Sequence, residues 1–157
     1  MLHYRFAQES DVDLYYEWAN DESVRSNSYN QSKIDYDSHV NWFLRKLNDK
    51  NCFFYLFFNE KNEAVGQVRV EKKENETIIG ISIDSNHRGN SFSTEMLKKS
   101  CNDYLEKHPF DKITAYIKIE NTASLKSFQN AGYKDLEEVN LEGSNSFKLT
   151  CCLFEKD

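Results

Sequence analysis

Arg88 and Gly89 stand in a polar stretch, SNHRGNSFS, between a β-branched run, TIIGISID, and a segment with apolar residues at Phe92, Met96, Leu97, Cys101, Tyr104 and Leu105. Apolar steps of three and four predict a helix, and the short run before it predicts a buried strand. A glycine-bearing turn from strand to helix gathers free backbone N–H groups at the positive end of the helix, where an anion such as phosphate can sit. Arg88, Lys98 and Lys99 would make the spot locally positive, and Ser91, Ser93 and Thr94 offer hydroxyls that can cap the helix. Many strand-loop-helix junctions carry a glycine and an arginine, so this spacing alone does not separate a phosphate cradle from an ordinary turn.

The elements that would position this loop follow from the rest of the chain. At 157 residues the expectation is one domain, 1–157, with one sizeable core. Residues 2–7 predict a first strand. Ser10, with Asp13 three residues on, predicts a capped helix to about residue 20. Residues 20–33 are a polar, glycine-free loop or broken helix, long enough to line a site. Asp35 predicts the cap of a second helix with Val40, Phe43, Leu44 and Leu47 inward. CFFYLFFN and AVGQVRVEK read as a hairpin, followed by the strand at 77–84, the central helix, the strand KITAYIK, a short helix from Thr122 closed by Gly132, and the pair YKDLEEV and SFKLTCCLF. The order β-α-α-β-β-β-α-β-α-β-β predicts an α/β (α+β) fold with a mixed sheet covered by helices.

Composition narrows function by exclusion. With 20 basic against 26 acidic side chains the net charge is −6, so nothing pulls the chain as a whole toward nucleic acid or an anionic membrane. Cys52, Cys101, Cys151 and Cys152 show neither CxxC nor metal-ligand spacing with histidine, and read as small core residues with no metal site. The N-terminus has no signal-peptide core and no run approaches a membrane span, so the expected location is the cytoplasm.

The element order, with its loop after the fourth strand, resembles the GNAT superfamily of N-acetyltransferases. Two segments carry the resemblance. Arg88-Gly89-Asn90-Ser91-Phe92-Ser93 falls on that family's pyrophosphate loop, Arg/Gln-x-x-Gly-x-Gly/Ala. IKIENTASLKSFQNAGY, residues 117–133, is similar to its strand-Asn-helix-Gly-aromatic segment. The resemblance implies acetyl-CoA as co-substrate, with residues 88–93 on its pyrophosphate, Asn121 on the pantetheine arm, and Ser124 and Phe128 on the helix flanking the thiol. It also implies that backbone N–H groups near Ile83 polarise the thioester. Two departures stand out. Ser91 and Ser93 replace small loop residues, and a side chain at 91 costs roughly 1–2 kcal/mol if φ must be positive. Phe128 stands where many members carry a tyrosine thought to protonate the leaving thiolate.

EWANDESVRSNSYN, His39-x-x-Trp42-Phe43, VGQVRVE and ISID further resemble the branch that acetylates nucleotide-linked amino sugars for surface glycans, including those of pseudaminic-acid type. That implies a small-molecule acceptor. Glu71 and Asp84, at strand ends, are then candidate bases, although strand-end carboxylates are ordinarily just solvated. Arg25 and Arg69 are candidate phosphate ligands because guanidinium suits bidentate contacts, while structural pairing is the ordinary role for Arg25. His39 and Trp42 share a helix edge, as a buried pair or as a wall for a nucleobase. The other acceptors open to this pattern are a protein N-terminus or a lysine; a non-catalytic acyl-CoA-binding module is the reading from another class.

Overall fold

A computed structural model describes residues 1–153. Its elements in order are β1 (His3–Phe6), a 3-10 turn (Glu9–Asp11), α1 (Val12–Ala19), α2 (Glu22–Ser26), α3 (Tyr36–Leu47), β2 (Cys52–Phe58), β3 (Ala64–Lys72) and β4 (Thr77–Ile83). A second 3-10 turn (Ser85–His87), α4 (Phe92–Lys107), β5 (Lys112–Lys118), α5 (Thr122–Asn130), β6 (Lys134–Leu141) and β7 (Ser144–Cys152) complete it. The expected last strand ran to Phe154, which lies outside the described residues. The strands form one sheet in the order β1-β2-β3-β4-β5-β7-β6, antiparallel throughout except where β4 meets β5.

The burial pattern explains the layers. β2 is apolar without interruption because both its faces are covered. Tyr55 and Phe57 pack toward α4, while Phe54 and Leu56 join Tyr15, Trp18 and Phe43 from α1 and α3. β4, β5 and β7 instead alternate. Ile79, Ile113, Ala115, Ile117 and Leu149 pack with Met96, Leu97, Cys101 and Tyr104 of α4. Their opposite face carries Ser82, Tyr116, Lys118, Ser146 and Lys148, so the sheet has a polar side away from α4.

Local chemistry sets the ends of the helices. Asp35 caps α3 by accepting the Ser38 N–H at 3.1 Å, as expected. The first helix departs from expectation. Asp11, not Ser10, is the organising residue, accepting the Gln8 N–H at 2.7 Å and both Arg5 guanidinium nitrogens at 2.8 and 3.0 Å. The polar stretch 20–33 is the broken helix, its short turn α2 capped by Asp21.

Candidate active site

The sheet splits between β4 and β5. They pair in parallel only at Thr77–Ile113, Ile78–Thr114 and Ile79–Ala115, although the strands run on to Ile83 and Lys118. Asp84 donates its N–H to the Val65 carbonyl on β3 at 2.8 Å. Backbone groups of successive strand residues point to alternate sides, so the N–H and C=O of Ile81 and Ile83 face the split. Backbone polar groups left without a ladder partner need another one, and an extended ligand with amides of its own supplies it.

The loop after β4 is strapped from both sides. Asp84 accepts hydrogen bonds from Trp18 Nε1 at 2.8 Å, His87 Nδ1 at 3.0 Å and the Asn86 N–H at 3.1 Å. Burial pushes its carboxyl pKa up, but the bonds from Trp18, His87 and Asn86 more than reverse this, leaving it below the ordinary value. Asp84 is therefore a fixed, ionised anchor rather than the base expected from its position. The Arg88 guanidinium donates to Asp21 at 2.7 Å, so its charge ties the loop to α2 instead of standing free for phosphate. What the loop presents is backbone. Gly89 has φ 83° and Ser91 has φ 60°, both left-handed, and Ser91 precedes α4 without bonding its first turn through its side chain. Left-handed residues just before a 16-residue helix are the backbone conformation from which anion-binding N–H nests are built. Asn90 bonds back to the His87 carbonyl at 3.0 Å, and Ser93 Oγ lies 2.7 Å from Ser127 Oγ, joining α4 to α5. Phe92 packs at the edge of the α4 core.

Across the split, Asn121 caps α5 through Oδ1, which accepts the Ser124 N–H at 3.3 Å. Phe128 is a core residue, 3% exposed, its ring edge-to-face with Tyr133 at 4.9 Å. The nearby phenol cannot replace the missing tyrosine, because the Tyr133 hydroxyl lies 2.7 Å from Cys101 Sγ inside the core and burial raises its pKa well above the ordinary value.

On the polar side the expected residues divide. Glu71 pairs with Ile78, whereas the split end of β4, Ile83, lies opposite Gly66, five residues or roughly 17 Å away along β3. It is buried against Lys46, with Arg69 Nε at 3.9 Å, and is not a base for this site. Arg25 donates to the carbonyls of Ala19, Asn30 and Ser32 and to Ser28 Oγ, which makes it the clasp of the 20–33 loop rather than a phosphate ligand. His39 is buried, bonded through Nε2 to the Val12 carbonyl at 3.0 Å and stacked on Phe43. Burial holds its pKa below the ordinary imidazole value, and it is core. Trp42 and Arg69 do meet, the guanidinium 5.2 Å over the indole. That contact occupies the ring face expected to take a base, while the Arg69 side chain keeps about a third of its surface, 34%, exposed.

The feature not anticipated is a cleft of about 610 Å³ lined by Tyr29, Asn30, Gln31, Lys118, Glu142 and Ser144. Tyr29 is held by a 2.7 Å bond between its hydroxyl and Ser146 Oγ, and Lys118 Nζ sits 5.6 Å from the centre of the Tyr29 ring. The one available signal was in KITAYIK, whose alternation puts Thr114, Tyr116 and Lys118 on one face.

A sheet opened between parallel strands, left-handed backbone before α4 and a polar cleft on one face together fit a protein that lays an extended ligand along its sheet. The sequence matches the family model of the acetyltransferase (GNAT) domain over residues 2–134, so the chain belongs to that family and is an acetyl-CoA-dependent N-acetyltransferase. Solved structures share the fold. A spermidine N-acetyltransferase from Vibrio cholerae, in complex with CoA and spermine, superposes with a TM-score of 0.84 at 12% identity, over 96% of this chain and 94% of that one. An aminoglycoside acetyltransferase in complex with coenzyme A gives 0.80 at 14%, over 97% and 95%. A domain from Methanocaldococcus jannaschii gives 0.80 at 20%, over 96% and 99%. No curated protein matches the sequence.

Proposed function

We propose that the whole chain acts as one domain that acetylates the primary amine of a nucleotide-linked amino sugar. The supporting observation is the charge on the polar side of the split. Arg69, Lys118 and Lys148 lie on that side of β3, β5 and β7; Arg69 stands 3.9 Å from Glu71 and Lys148 is opposite Glu137 in the β6–β7 register, whereas Lys118 has no carboxylate within ion-pairing distance among the described residues. A sheltered cation without a carboxylate partner, as at Lys118, suits an acceptor bearing phosphates better than a polycation such as spermidine or an aminoglycoside.

Acetyl-CoA supplies an activated thioester, and the chain orients it and the amine. The Ile81 and Ile83 backbone pairs with the pantetheine amides, and the loop 89–93 with the pyrophosphate. Asn121, with its Oδ1 on the Ser124 N–H, keeps an amide NH2 for the same arm. The Ile83 N–H polarises the thioester carbonyl. Most of the rate advantage is then proximity. Neither Glu71 nor Asp84 takes the proton; an electron-poor sugar amine titrates near 8, like an α-amino group, so a useful fraction is already neutral at pH 7 and water accepts the rest. The thiolate of coenzyme A leaves without a phenol at 128. All four cysteines are free, which suits the reducing cytoplasm where nucleotide sugars are made.

The test is thiol release from acetyl-CoA with a UDP-linked amino-deoxyhexose, the free amino sugar, spermidine and a peptide, with the product mass read in each case. Turnover on the linked sugar should exceed that on the free sugar at least tenfold, because the remote nucleotide helps position the amine. Robust acetylation of peptide or spermidine with none of the nucleotide sugar overturns the acceptor. Acetyl-CoA binding with no thiol release for any amine supports a binding module instead.

A further inference from the structure

Lys118 is 9% exposed, yet among the described residues its ammonium has no carboxylate within ion-pairing distance. A buried charge ordinarily has a partner of opposite sign, because removing it from water costs several kcal/mol. Its one contact of this kind is the Tyr29 ring, and that ring is itself fixed by Ser146, which faces Lys118 in the β5–β7 register. The position of the cation is thus set by the sheet. The other groups lining the cleft, Asn30, Gln31 and Ser144, carry no charge, and Glu142 is exposed. Glu120 and Glu142 both act on Tyr29 but are exposed, and water screens them more than it does Lys118, which is left as the sheltered charge of the cleft. Continuing the parallel register from Ile79–Ala115 brings Lys118 level with Ser82, beside the Ile83 N–H that faces the split.

We propose that Lys118 determines acceptor specificity by binding an oxyanion of the acceptor, a diphosphate, in the Tyr29–Lys118 cleft. This rests on the acceptor reading above and moves the phosphate contact from Arg25 and Arg69, the two candidates in the sequence, to β5. Lys118 touches the nonreacting arm of the acceptor and fixes where its amine stands over the split.

The experiment is calorimetric titration of UDP into protein saturated with coenzyme A, so that the nucleotide does not occupy the loop after β4. The wild type should bind UDP. Lys118→Met, which keeps the apolar stem, should bind it at least tenfold more weakly, equivalent to about 1.4 kcal/mol. Lys118→Arg should stay within about threefold, and coenzyme A affinity should be the same in all three, reporting an intact fold. Pyrophosphate should show the same dependence on Lys118, and in turnover the loss should fall on KM rather than kcat. UDP binding equal in wild type and Lys118→Met, or no UDP binding by the CoA-saturated wild type, overturns the proposal. Turnover on nucleotide sugars is read separately. If it persists while UDP binding ignores Lys118, only the subsite falls. If it is absent while Lys118-dependent binding remains, only the acceptor reading falls.

Discussion

The two sides of the split are built differently. The side proposed for the cofactor is mainly backbone: strand groups without a ladder partner beyond Ile79, and the left-handed residues Gly89 and Ser91 before α4. The side proposed for the acceptor is side chains from separate elements, Tyr29 before α3, Arg69 on β3, Lys118 on β5 and Ser146 on β7. Backbone recognition tolerates many substitutions and suits a cofactor common to a family. Side-chain recognition changes residue by residue and suits an acceptor that differs between members.

The largest effect is expected where backbone meets backbone. A Cβ at Gly66 would lie 2.5 Å from the Ser82 carbonyl oxygen and 2.9 Å from Met96 Cε, so Gly66→Ala should push β3 off β4 and cost about 3 kcal/mol in urea unfolding. Acetyl-CoA affinity should fall with it. Gly80, whose Cβ would meet nothing within 4 Å, is the control: Gly80→Ala should stay within about 0.5 kcal/mol.

Glu71→Gln separates structure from chemistry on the acceptor side. Breaking the buried contact with Lys46 should lower stability by about 2 kcal/mol while leaving kcat within twofold. A hundredfold loss of kcat in a folded variant would restore Glu71 as the base.

Asp84 predicts a smaller, pH-dependent effect. Its folded pKa lies below the unfolded value, so its contribution is complete above about pH 4 and is lost as pH falls through the folded pKa. Asp84→Asn should therefore cost about 1 kcal/mol at pH 7, with the difference from wild type vanishing in acid. A difference that persists unchanged to pH 2 would assign its role to shape rather than charge.

Ser91→Gly is the smallest. Relieving a left-handed serine should stabilise the fold by about 0.5–1 kcal/mol and tighten acetyl-CoA binding. Weaker binding would mean that the hydroxyl donates to phosphate.

The same contrast decides what was legible in the sequence. The mixed sheet, the loop after β4 and the helix from Thr122 closed by Gly132 could be read because glycine and periodicity are local signals, whereas Asn121 was reached only through the family resemblance. A positive φ at Ser91 was the condition attached to its departure from the family pattern, and it is met. Arg25 and His39 take the structural roles that were the ordinary alternatives to their site roles, and Glu71 takes one too, for the same reason. Their types suit phosphate and base chemistry, but their partners, the carbonyls of Ala19, Asn30 and Ser32, the Val12 carbonyl, and Lys46, come from folding the chain back on itself. Lys118 was passed over because its meaning depends on Tyr29, 89 positions earlier, being brought over the end of β5.

The division into a backbone-built and a side-chain-built half is tested most directly by amide NMR titration of the labelled protein, first with acetyl-CoA and then, at saturation, with UDP. Acetyl-CoA should shift the amides of Ile81, Ile83 and residues 89–93, and UDP should then shift Tyr29, Lys118 and Ser144 as a separate set. Acetyl-CoA shifts centred on the Tyr29–Lys118 cleft, or UDP shifts confined to the loop after β4, would contradict the division.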